Sequence, residues 1–403
     1  MKPKTFMVIA GETSGDMLAA ELVQALRAEL ACRPATVTWD YQPLETSLEP
    51  RFFGAGGPQM AAAGVDLALD LTAHAVTGFS DVLKNYAKFR RLFKQLHGLA
   101  LEREPDAIIC VDFSGFNRRF AHAIKQYVRS RQDWFHDWNP KIVQYVSPQV
   151  WASRESRAYQ VAEDFDLLLS IVPFEPEWYA ARVPKLRVEF IGHPMVDRYG
   201  PPAARAESKS KNDWPQVLLL PASRPGELKR HLPVLLGAVE TIRATFPGTR
   251  AQMVLPNEDL LQQAKQMGLP QDLRVQVGDM AGALRRADLA IAKTGTITLE
   301  CAYFGVPTIA LYKTSWLTWQ IAKRIITVKY GAMPNLRLNR EVYPEFIQDA
   351  ATAENIARTA IELLKDKARR EKIQGDLTEV IASLGSGGAA IRAARAILGL
   401  VGT

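Results

Sequence analysis

The sequence has few cysteines and lacks any long apolar run. Its 403 residues include three cysteines, and their spacing fits neither a disulfide framework nor a zinc site. The first apolar run ends at Ala10, which is too short for the core of a secretion signal. No segment approaches the roughly 20 consecutive apolar residues that cross a bilayer. We therefore expect a soluble, cytoplasmic protein rather than a secreted scaffold or a membrane-spanning one.

Common nucleotide-binding and nucleic-acid-binding signatures are also absent. The sequence has no Gly-Lys-Ser/Thr P-loop, and no zinc-finger or RNA-binding sheet motif. The formal charge of +7 favours anionic partners such as nucleotides or phospholipid surfaces. We expect an anionic small molecule or a lipid surface as partner, and no nucleic acid.

What the sequence does contain is a regular alternation of apolar strands and amphipathic helices. Strands that are apolar along their whole length are typical of parallel sheets covered on both faces. A polar, proline-containing stretch interrupts the pattern, which then restarts. The predicted strands are Thr5–Ala10, Ala107–Asp112, Lys141–Val146, Leu167–Ile171 and Val188–Ile191, then Gln216–Leu220, Gln252–Leu255, Arg274–Val277, Leu289–Ala292 and Thr308–Leu311.

This pattern predicts an α/β fold of two Rossmann-like domains that face a central cleft. We assign residues 1–197 to the first domain, 198–214 to a linker and 215–370 to the second domain. Helices predicted within 371–403 should return to the first domain or to a partner subunit.

Ligands of such sheets bind outside the carboxyl ends of the strands, so the loops there are the candidates. The first loop, Gly11 to Asp16, carries two glycines before a helix predicted to start near Asp16. Free helix N–H groups favour an anion site around Glu12 and Ser14. The alternative is a plain helix entry capped by Ser14 or Asp16. Asp112 follows a buried strand and is a candidate general base, or else a helix cap.

Two further loops of the first domain are less specific. Tyr145, Trp151 and Arg154 combine aromatic and guanidinium groups that suit an anionic, partly apolar substrate. The alternative is a packed tryptophan beside a solvated helix face. The stretch Gly54–Met60 is similar to a dinucleotide fingerprint but lacks its third glycine, and we interpret it as a structural or substrate-edge loop.

In the second domain, Ser223 and Arg224 follow the first strand and precede a helix. The arginine is placed to meet a diphosphate in front of the helix N-terminus. The alternative is a structural arginine–glutamate pair.

The stretch 292–300 gives the strongest single signal. A strand ends, a turn containing Gly295 and Thr296 follows, and a helix begins. The N–H groups of such a turn can hold phosphate oxygens. Glu300, about one turn into the helix, is placed to accept hydrogen bonds from ribose hydroxyls.

Two basic amphipathic stretches are candidates for contact with an anionic membrane. The first contains Leu83, Phe89 and Phe93 among lysines and arginines, and the second contains Trp316 and Leu317 followed by basic residues. For each, the alternative is a core-facing helix with a solvated cationic side.

These motifs together resemble a known family. The segment Gly295-Thr296…Glu300…Gly305-Val306-Pro307 is similar to the nucleotide signature of two-domain, B-type glycosyltransferases (GT-B). More narrowly, the chain resembles the lipid-A-disaccharide synthase family over nearly its whole length. The shared stretches, in family order, are Ala10–Asp16, Gly57–Met60, Tyr145–Pro148, Pro173–Glu175, Phe190–His193, Leu220–Arg224, Leu299–Cys301 and Met333–Leu336.

The resemblance implies a reaction and roles for several residues. UDP-2,3-diacylglucosamine would donate its sugar to 2,3-diacylglucosamine 1-phosphate, with inversion to a β-1,6 link. Asp112 matches the family's essential aspartate, and Glu12 matches a glutamate near the acceptor. Arg224, Glu300 and Asn335 match UDP-binding positions. No metal or other cofactor is implied, because arginine and helix N-termini can neutralise the leaving diphosphate.

Acylated substrates and the two basic amphipathic stretches lead us to expect peripheral attachment to the inner face of the inner membrane, and the resemblance implies a possible homodimer. The chain departs from the family pattern after Asp112, where Gly115 stands in place of a second aspartate. The departure favours one alternative, a non-catalytic UDP- or lipid-binding paralogue. A second alternative is another UDP-sugar enzyme of the same fold.

Overall fold

The computed structural model describes residues 3–32, 49–72, 86–131, 136–200 and 214–402, and the backbone alone for residues 86–88. The chain divides into two units. The first consists of Met1–Arg198 with Leu384–Thr403, and the second of Tyr199–Ser383. Each unit contains a parallel sheet flanked by helices, which confirms the predicted α/β class. Within the described ranges, no helix is both long and apolar enough to span a bilayer.

The sheet of the first unit has seven described strands, all parallel to their neighbours. They are β1 (Thr5–Ala10), β2 (Arg51–Gly56), β3 (Asp66–Asp70), β4 (Ala107–Val111), β5 (Lys141–Tyr145), β6 (Leu167–Ser170) and β7 (Arg187–Phe190). Their order in the sheet is β3-β2-β1-β4-β5-β6-β7. The sequence predicted five of these strands, and it missed β2 and β3 because β2 contains two glycines and β3 two aspartates.

Helices cover both faces of this sheet. They are α1 (Thr13–Ala31), α2 (Pro58–Ala62), α3 (Tyr86–Arg103), α4 (Ser114–Arg131), α5 (Arg157–Asp164), α6 (Glu175–Ala180), α7 (Met195–Tyr199) and, from the C-terminus, α16 (Ala389–Leu400). Successive strand residues point to opposite faces. Phe6 and Val8 pack towards α1 and α16, whereas Met7 and Ile9 pack towards α3 and α4.

A glycine allows β2 to lie beside β1. Gly54 has a φ of +151°, and a Cβ there would lie 1.9 Å from the carbonyl oxygen of Val8. The predicted glycine-rich loop at 54–60 is therefore wrong in its first half, which is strand.

Asp16 does not cap α1, which begins at Thr13. Its buried carboxylate instead accepts the N–H groups of Gly57 at 2.7 Å and Gln59 at 2.9 Å.

The second unit has a sheet of six described strands in the order β10-β9-β8-β11-β12-β13. They are β8 (Gln216–Leu220), β9 (Arg250–Leu255), β10 (Arg274–Val277), β11 (Leu289–Lys293), β12 (Thr308–Tyr312) and β13 (Glu345–Ile347). Its helices are α8 (Pro225–Thr245), α9 (Glu258–Gln266), α10 (Met280–Arg286), α11 (Thr296–Tyr303), α12 (Trp316–Ile325), α13 (Met333–Leu338), α14 (Ala353–Lys365) and α15 (Lys367–Ala382).

The C-terminal segment is divided between the units. Helix α15 belongs to the second unit, where Arg340 pairs with Asp376 at 2.9 Å and with Glu379 at 2.7 Å. From Leu384 onward the chain belongs to the first unit. There the Asp197 carboxylate accepts the N–H of Ala389 at 2.8 Å, at the start of α16. The structural boundary therefore falls at 383/384 rather than at 371, and most of the predicted linker, 201–213, lies outside the described residues.

Candidate functional site

The first group of predicted site residues meets at one edge of the first sheet. Ala10 of β1 lies opposite Val111 of β4, which lies opposite Tyr145 of β5. Glu12 and Asp112 therefore follow the neighbouring strands β1 and β4. The strand order changes direction between these two strands, because β2 and β3 lie on one side of β1 and β4 to β7 lie on the other. The first turn of α1 approaches the same place.

A glycine lets α1 come close to Asp112. A Cβ built on Gly15 would lie 3.7 Å from the Cβ of Asp112. Ser14 is exposed and Glu12 is half-buried. Although Glu12 occupies the N-cap position of α1, its side chain does not cap the helix. The first turn of α1 thus directs its N–H groups to the edge that carries Asp112.

The backbone around Asp112 is held in an unusual conformation. Asp112, Phe113 and Val146 have φ values of +48°, +43° and +68°, which L-residues adopt at a cost of about 1–3 kcal/mol each. Gly11 leaves room for the Phe113 ring, since a Cβ there would lie 2.3 Å from it. Backbone strain of this kind concentrates at functional sites, and here it surrounds the predicted general base.

Tyr145 and Trp151, which we predicted to contact the acceptor, lie in the interior. Tyr145 is fully buried, and burial raises the pKa of its hydroxyl, with a further increase from Glu21. Trp151 donates its indole N–H to the buried Glu175 carboxylate at 2.7 Å. The packed-tryptophan alternative therefore describes this loop. Arg154 is exposed.

The first predicted membrane helix is also part of a core. Phe93 packs edge-on against Phe116 and Phe120, with ring centroids 5.6 and 5.7 Å apart. Leu96 on the same helix is fully buried, and Phe89 is half-buried. The core-facing alternative thus holds for α3, and Leu83 lies outside the described residues.

The second group of site residues meets at one edge of the second sheet. Leu220 of β8 lies opposite Ala292 of β11, so the loop carrying Ser223 lies beside the loop carrying Gly295. Lys293 joins them, because its ammonium group donates to the Ser223 hydroxyl at 2.8 Å and lies 3.4 Å from the Glu227 carboxylate. The main-chain N–H of Ser223 donates to the same carboxylate at 2.9 Å.

Lys293 and Glu227 were missed as site residues. Burial by itself raises the pKa of Glu227, but Lys293, the Ser223 N–H and Arg224 outweigh it, and the pKa is lowered. Glu227 is therefore a stable carboxylate that holds Lys293 in place. Two signals were present in the sequence: Lys293 ends a strand, and Glu227 is the third residue of a helix that starts at Pro225, where glutamate commonly caps.

The turn at Gly295 prepares the N-terminus of α11. Gly295 has a φ of +113°, in the region that favours glycine. Thr298 donates its hydroxyl to the Gly295 carbonyl at 2.7 Å and accepts the N–H of Met333 at 3.0 Å. Thr296 is exposed at the start of the helix, and Glu300 accepts the hydroxyl of Tyr199 at 3.0 Å.

Asn335 has an internal role instead of the predicted UDP contact. Its amide nitrogen donates to the Tyr343 carbonyl and the Glu345 carboxylate, both at 2.7 Å. Its amide oxygen accepts the N–H groups of Val342 at 2.8 Å and Tyr343 at 2.7 Å. Because an asparagine amide offers two donors and two acceptor positions, these four bonds use it completely.

A buried histidine fixes the loop in front of Ser223. His231 on α8 lies with Nδ1 2.6 Å from the Pro221 carbonyl oxygen and Nε2 2.9 Å from the Lys313 main-chain nitrogen. A carbonyl only accepts and an N–H only donates, so Nδ1 carries the proton and the ring is neutral. Burial, the largest cause, lowers the pKa of His231 below its ordinary value of 6.5.

The same fold occurs in solved structures of glycosyltransferases and epimerases. UDP-GlcNAc 2-epimerase from Neisseria meningitidis, bound to UDP-GlcNAc, aligns over 99% of this chain and 100% of its own, with a TM-score of 0.58 and 11% identity. The calicheamicin glycosyltransferase CalG4 aligns over 100% of both chains, with a TM-score of 0.58 and 15% identity. The fold is thus the two-domain GT-B class, which includes both transferases and epimerases.

The relatives found by sequence identify the family within this class. A profile of the lipid-A-disaccharide synthetase family matches residues 6–397. A lipid-A-disaccharide synthase of Geobacter metallireducens is 34% identical over 411 residues, which is 99% of this chain and 98% of the relative. Another from Nitrosococcus oceani is 34% identical over 391 residues, or 94% and 92%. The chain belongs to the lipid-A-disaccharide synthetase family, and the predicted family and enzyme class are confirmed.

The neutral state of His231 makes stability depend on pH. Its folded-state pKa is below 6.5, so its contribution is fully present above about pH 6.5 and is lost as the pH falls further. We expect His231→Asn to lower the free energy of unfolding at pH 7.5 by about 1–3 kcal/mol, and by less at pH 5.5. Urea unfolding at both pH values measures this difference. His136→Asn, at an exposed histidine, is the control, and an equal loss at both pH values in His231→Asn would contradict the assignment.

Proposed function

We propose that this protein transfers the sugar of UDP-2,3-diacylglucosamine to the 6-hydroxyl of 2,3-diacylglucosamine 1-phosphate, producing a β-1,6-linked disaccharide 1-phosphate and UDP. The observation that carries the proposal is the family match, which runs from residue 6 to 397 with relatives named lipid-A-disaccharide synthase. Two clusters of polar groups support it, one in each unit.

The second unit supplies the donor site of this proposal. The UDP diphosphate lies before the N-termini of α8 and α11, where main-chain N–H groups and helix dipoles favour anions. Arg224 and Lys293 add two positive charges, and Ser223 adds a hydroxyl. The Glu300 carboxylate binds the ribose hydroxyls, and Gly295 and Thr296 let the main chain approach the phosphates. The same groups stabilise the charge that grows on UDP as it leaves.

The first unit supplies the acceptor site. Asp112 takes the proton of the acceptor 6-hydroxyl while that oxygen attacks the anomeric carbon. The bond from this carbon to the UDP oxygen breaks, UDP leaves with the electron pair, and the configuration inverts. Glu12, at the N-cap of α1, and Ser14, in its first turn, bind acceptor hydroxyls.

A group of arginines near this edge suits the 1-phosphate of the acceptor. Arg118 and Arg119 lie on α4, and Arg154 and Arg157 lie beyond β5. Burial lowers the pKa of Arg157, and the charges of Arg154, Arg118 and Arg119 lower it further, so each of these three lies near enough to Arg157 to repel its charge. Such a concentration of positive charge favours a doubly charged phosphate.

Helix α12 supports contact with the inner face of an anionic membrane. None of its residues is buried, and Trp316 and Leu317 are 73% and 64% exposed. Lys323 and Arg324 stand at its C-terminal end, and no acidic residue occurs between positions 313 and 340. Exposed apolar side chains beside positively charged ones are what an acidic lipid surface binds.

The reaction is tested by measuring UDP release with and without the acceptor. We expect acceptor-dependent release in the wild type and a decrease of about 10²- to 10⁴-fold in Asp112→Asn. Asparagine tolerates the left-handed backbone, so this change removes the base while it keeps the loop. The matched control is Asp106→Asn, at the opposite end of β4, where the carboxylate accepts the Thr5 N–H at 2.8 Å. UDP binding without any release in the wild type would indicate a non-catalytic paralogue instead.

The donor site is tested by calorimetry with UDP. Arg224→Ala should weaken UDP binding by about 10- to 100-fold, because it removes a charge-assisted contact with the diphosphate. It should leave the weaker binding of uridine unchanged. Arg230→Ala is the control, since Arg230 is an exposed arginine on the same helix whose guanidinium bonds the Gly226 carbonyl. An equal effect of both variants would argue against a diphosphate contact at Arg224.

Membrane contact is tested by sedimentation with vesicles. The double variant Trp316→Ser and Leu317→Ser should bind vesicles containing phosphatidylglycerol at least about 10-fold more weakly, because two large apolar side chains no longer insert. Ile391→Ser, at an exposed apolar residue of α16, should bind like the wild type. Wild-type binding that is absent, or that the double variant retains, would contradict the role of α12.

A further inference from the structure

Two buried amide side chains converge on the main-chain carbonyl of Asp112. Asn117, on α4, donates its amide N–H to this oxygen at 2.8 Å. Gln144, on β5, donates to the same oxygen at 2.9 Å. Their exposed fractions are 0% and 1%. The Asp112 carbonyl therefore has both of its acceptor positions occupied by side chains from two different elements.

The orientation of both amides is dictated by this carbonyl. The amide oxygens of Asn117 and Gln144 are buried and have no hydrogen-bond donor among the described residues. An amide turned over would place its oxygen against the Asp112 carbonyl oxygen, which repels it. Unpaired buried oxygens are uncommon in folded proteins. We therefore interpret the contribution of both side chains as that of their N–H donors and not of their oxygens.

These N–H groups hold the strained loop at Asp112 and Phe113. Asp112 and Phe113 both have left-handed φ values. The N–H of Asp112 donates to the Tyr145 carbonyl at 2.8 Å, so β5 binds one side of this residue and the two amides bind the other. With its N–H and C=O both fixed, Asp112 can move its carboxylate only by side-chain rotation.

We propose that Gln144 and Asn117 are positioning residues for the reaction. They hold the main chain of Asp112 so that its carboxylate meets the acceptor hydroxyl, and they touch neither substrate. This inference rests on the proposed function, in which Asp112 is the general base. A displacement of about 1 Å at a reacting group lowers turnover by about 100-fold, which sets the scale of the expected effect.

The decisive variant is Gln144→Met, which keeps the length of the side chain and removes the donor. We expect kcat to fall about 10- to 100-fold while the KM for the UDP-sugar and the affinity for UDP stay unchanged. In Asp112→Asn, adding Gln144→Met should cause little further loss, because the amide acts through the carboxylate that is already gone. Asn117→Ser should show the same pattern and replaces Gln144→Met if the latter fails to fold.

Val128→Ala is the control for general destabilisation. It shortens a buried side chain on α4, about three turns from Asn117, and should lower the melting temperature without lowering kcat. Unchanged kcat in both Gln144→Met and Asn117→Ser would overturn the proposal. The proposal would also be overturned if the loss of kcat in the double variant equalled the product of the losses in Gln144→Met and in Asp112→Asn.

Amide hydrogen exchange provides a readout that does not depend on activity. We expect faster exchange in the segment 112–116 of Gln144→Met and unchanged exchange in β8 and α8. A wild type without acceptor-dependent UDP release would refute the proposed function, and the exchange rates would then decide by themselves whether the amides hold this loop. Unchanged exchange in 112–116 would overturn the inference whatever the activity.

Discussion

The burial of both faces of each parallel sheet determines where this protein can place chemical groups. A charged side chain in the middle of such a strand would lose its hydration without gaining a partner. Residues 6–10 and 107–111 are accordingly apolar and fully buried. Charged groups of the candidate sites instead lie at the carboxyl ends of such strands: Glu12 and Asp112 follow β1 and β4 in the first unit, and Lys293 is the last residue of β11 in the second. Helix N-termini lie at the same edges, so anions are attracted there by the fold itself.

The two units use this edge in different ways. The first presents a carboxylate, and therefore an L-residue must occupy a left-handed position, with neighbouring side chains holding the strained main chain. The second presents main-chain N–H groups, and there Gly295 adopts its φ of +113° without side-chain strain. A site that acts through a side chain thus requires more support than one that acts through the backbone. Asn117 and Gln144 provide that support in the first unit.

Much of the fold could be predicted because long apolar strands and their following loops are periodic signals. The loops bearing Glu12, Asp112, Arg224 and Gly295 were located correctly by this rule. Residue type alone does not tell which way a side chain points, and this is why Tyr145 and Trp151 were assigned to a substrate but lie in the interior.

The hydrogen bonds of Asn335 depend on residues seven to ten positions further along the chain, which no local pattern reveals. The same holds for Lys293, whose partners Ser223 and Glu227 are about seventy residues away. Similarly, the amphipathic pattern of α3 and that of α12 look alike in sequence. Only the packing of Phe93 and Leu96 distinguishes a core helix from the exposed one.

The attachment of α16 to the first unit has a consequence for how the chain folds during synthesis. The second unit is continuous in sequence, so all of its strands and helices are available once Ser383 has been made. The first unit begins earlier but lacks one of its packing helices until residues 389–400 have left the ribosome. Ala393, Ile397 and Leu398 belong to the same core as Phe6 and Val8. The domain that is synthesised first is therefore the one whose core closes last.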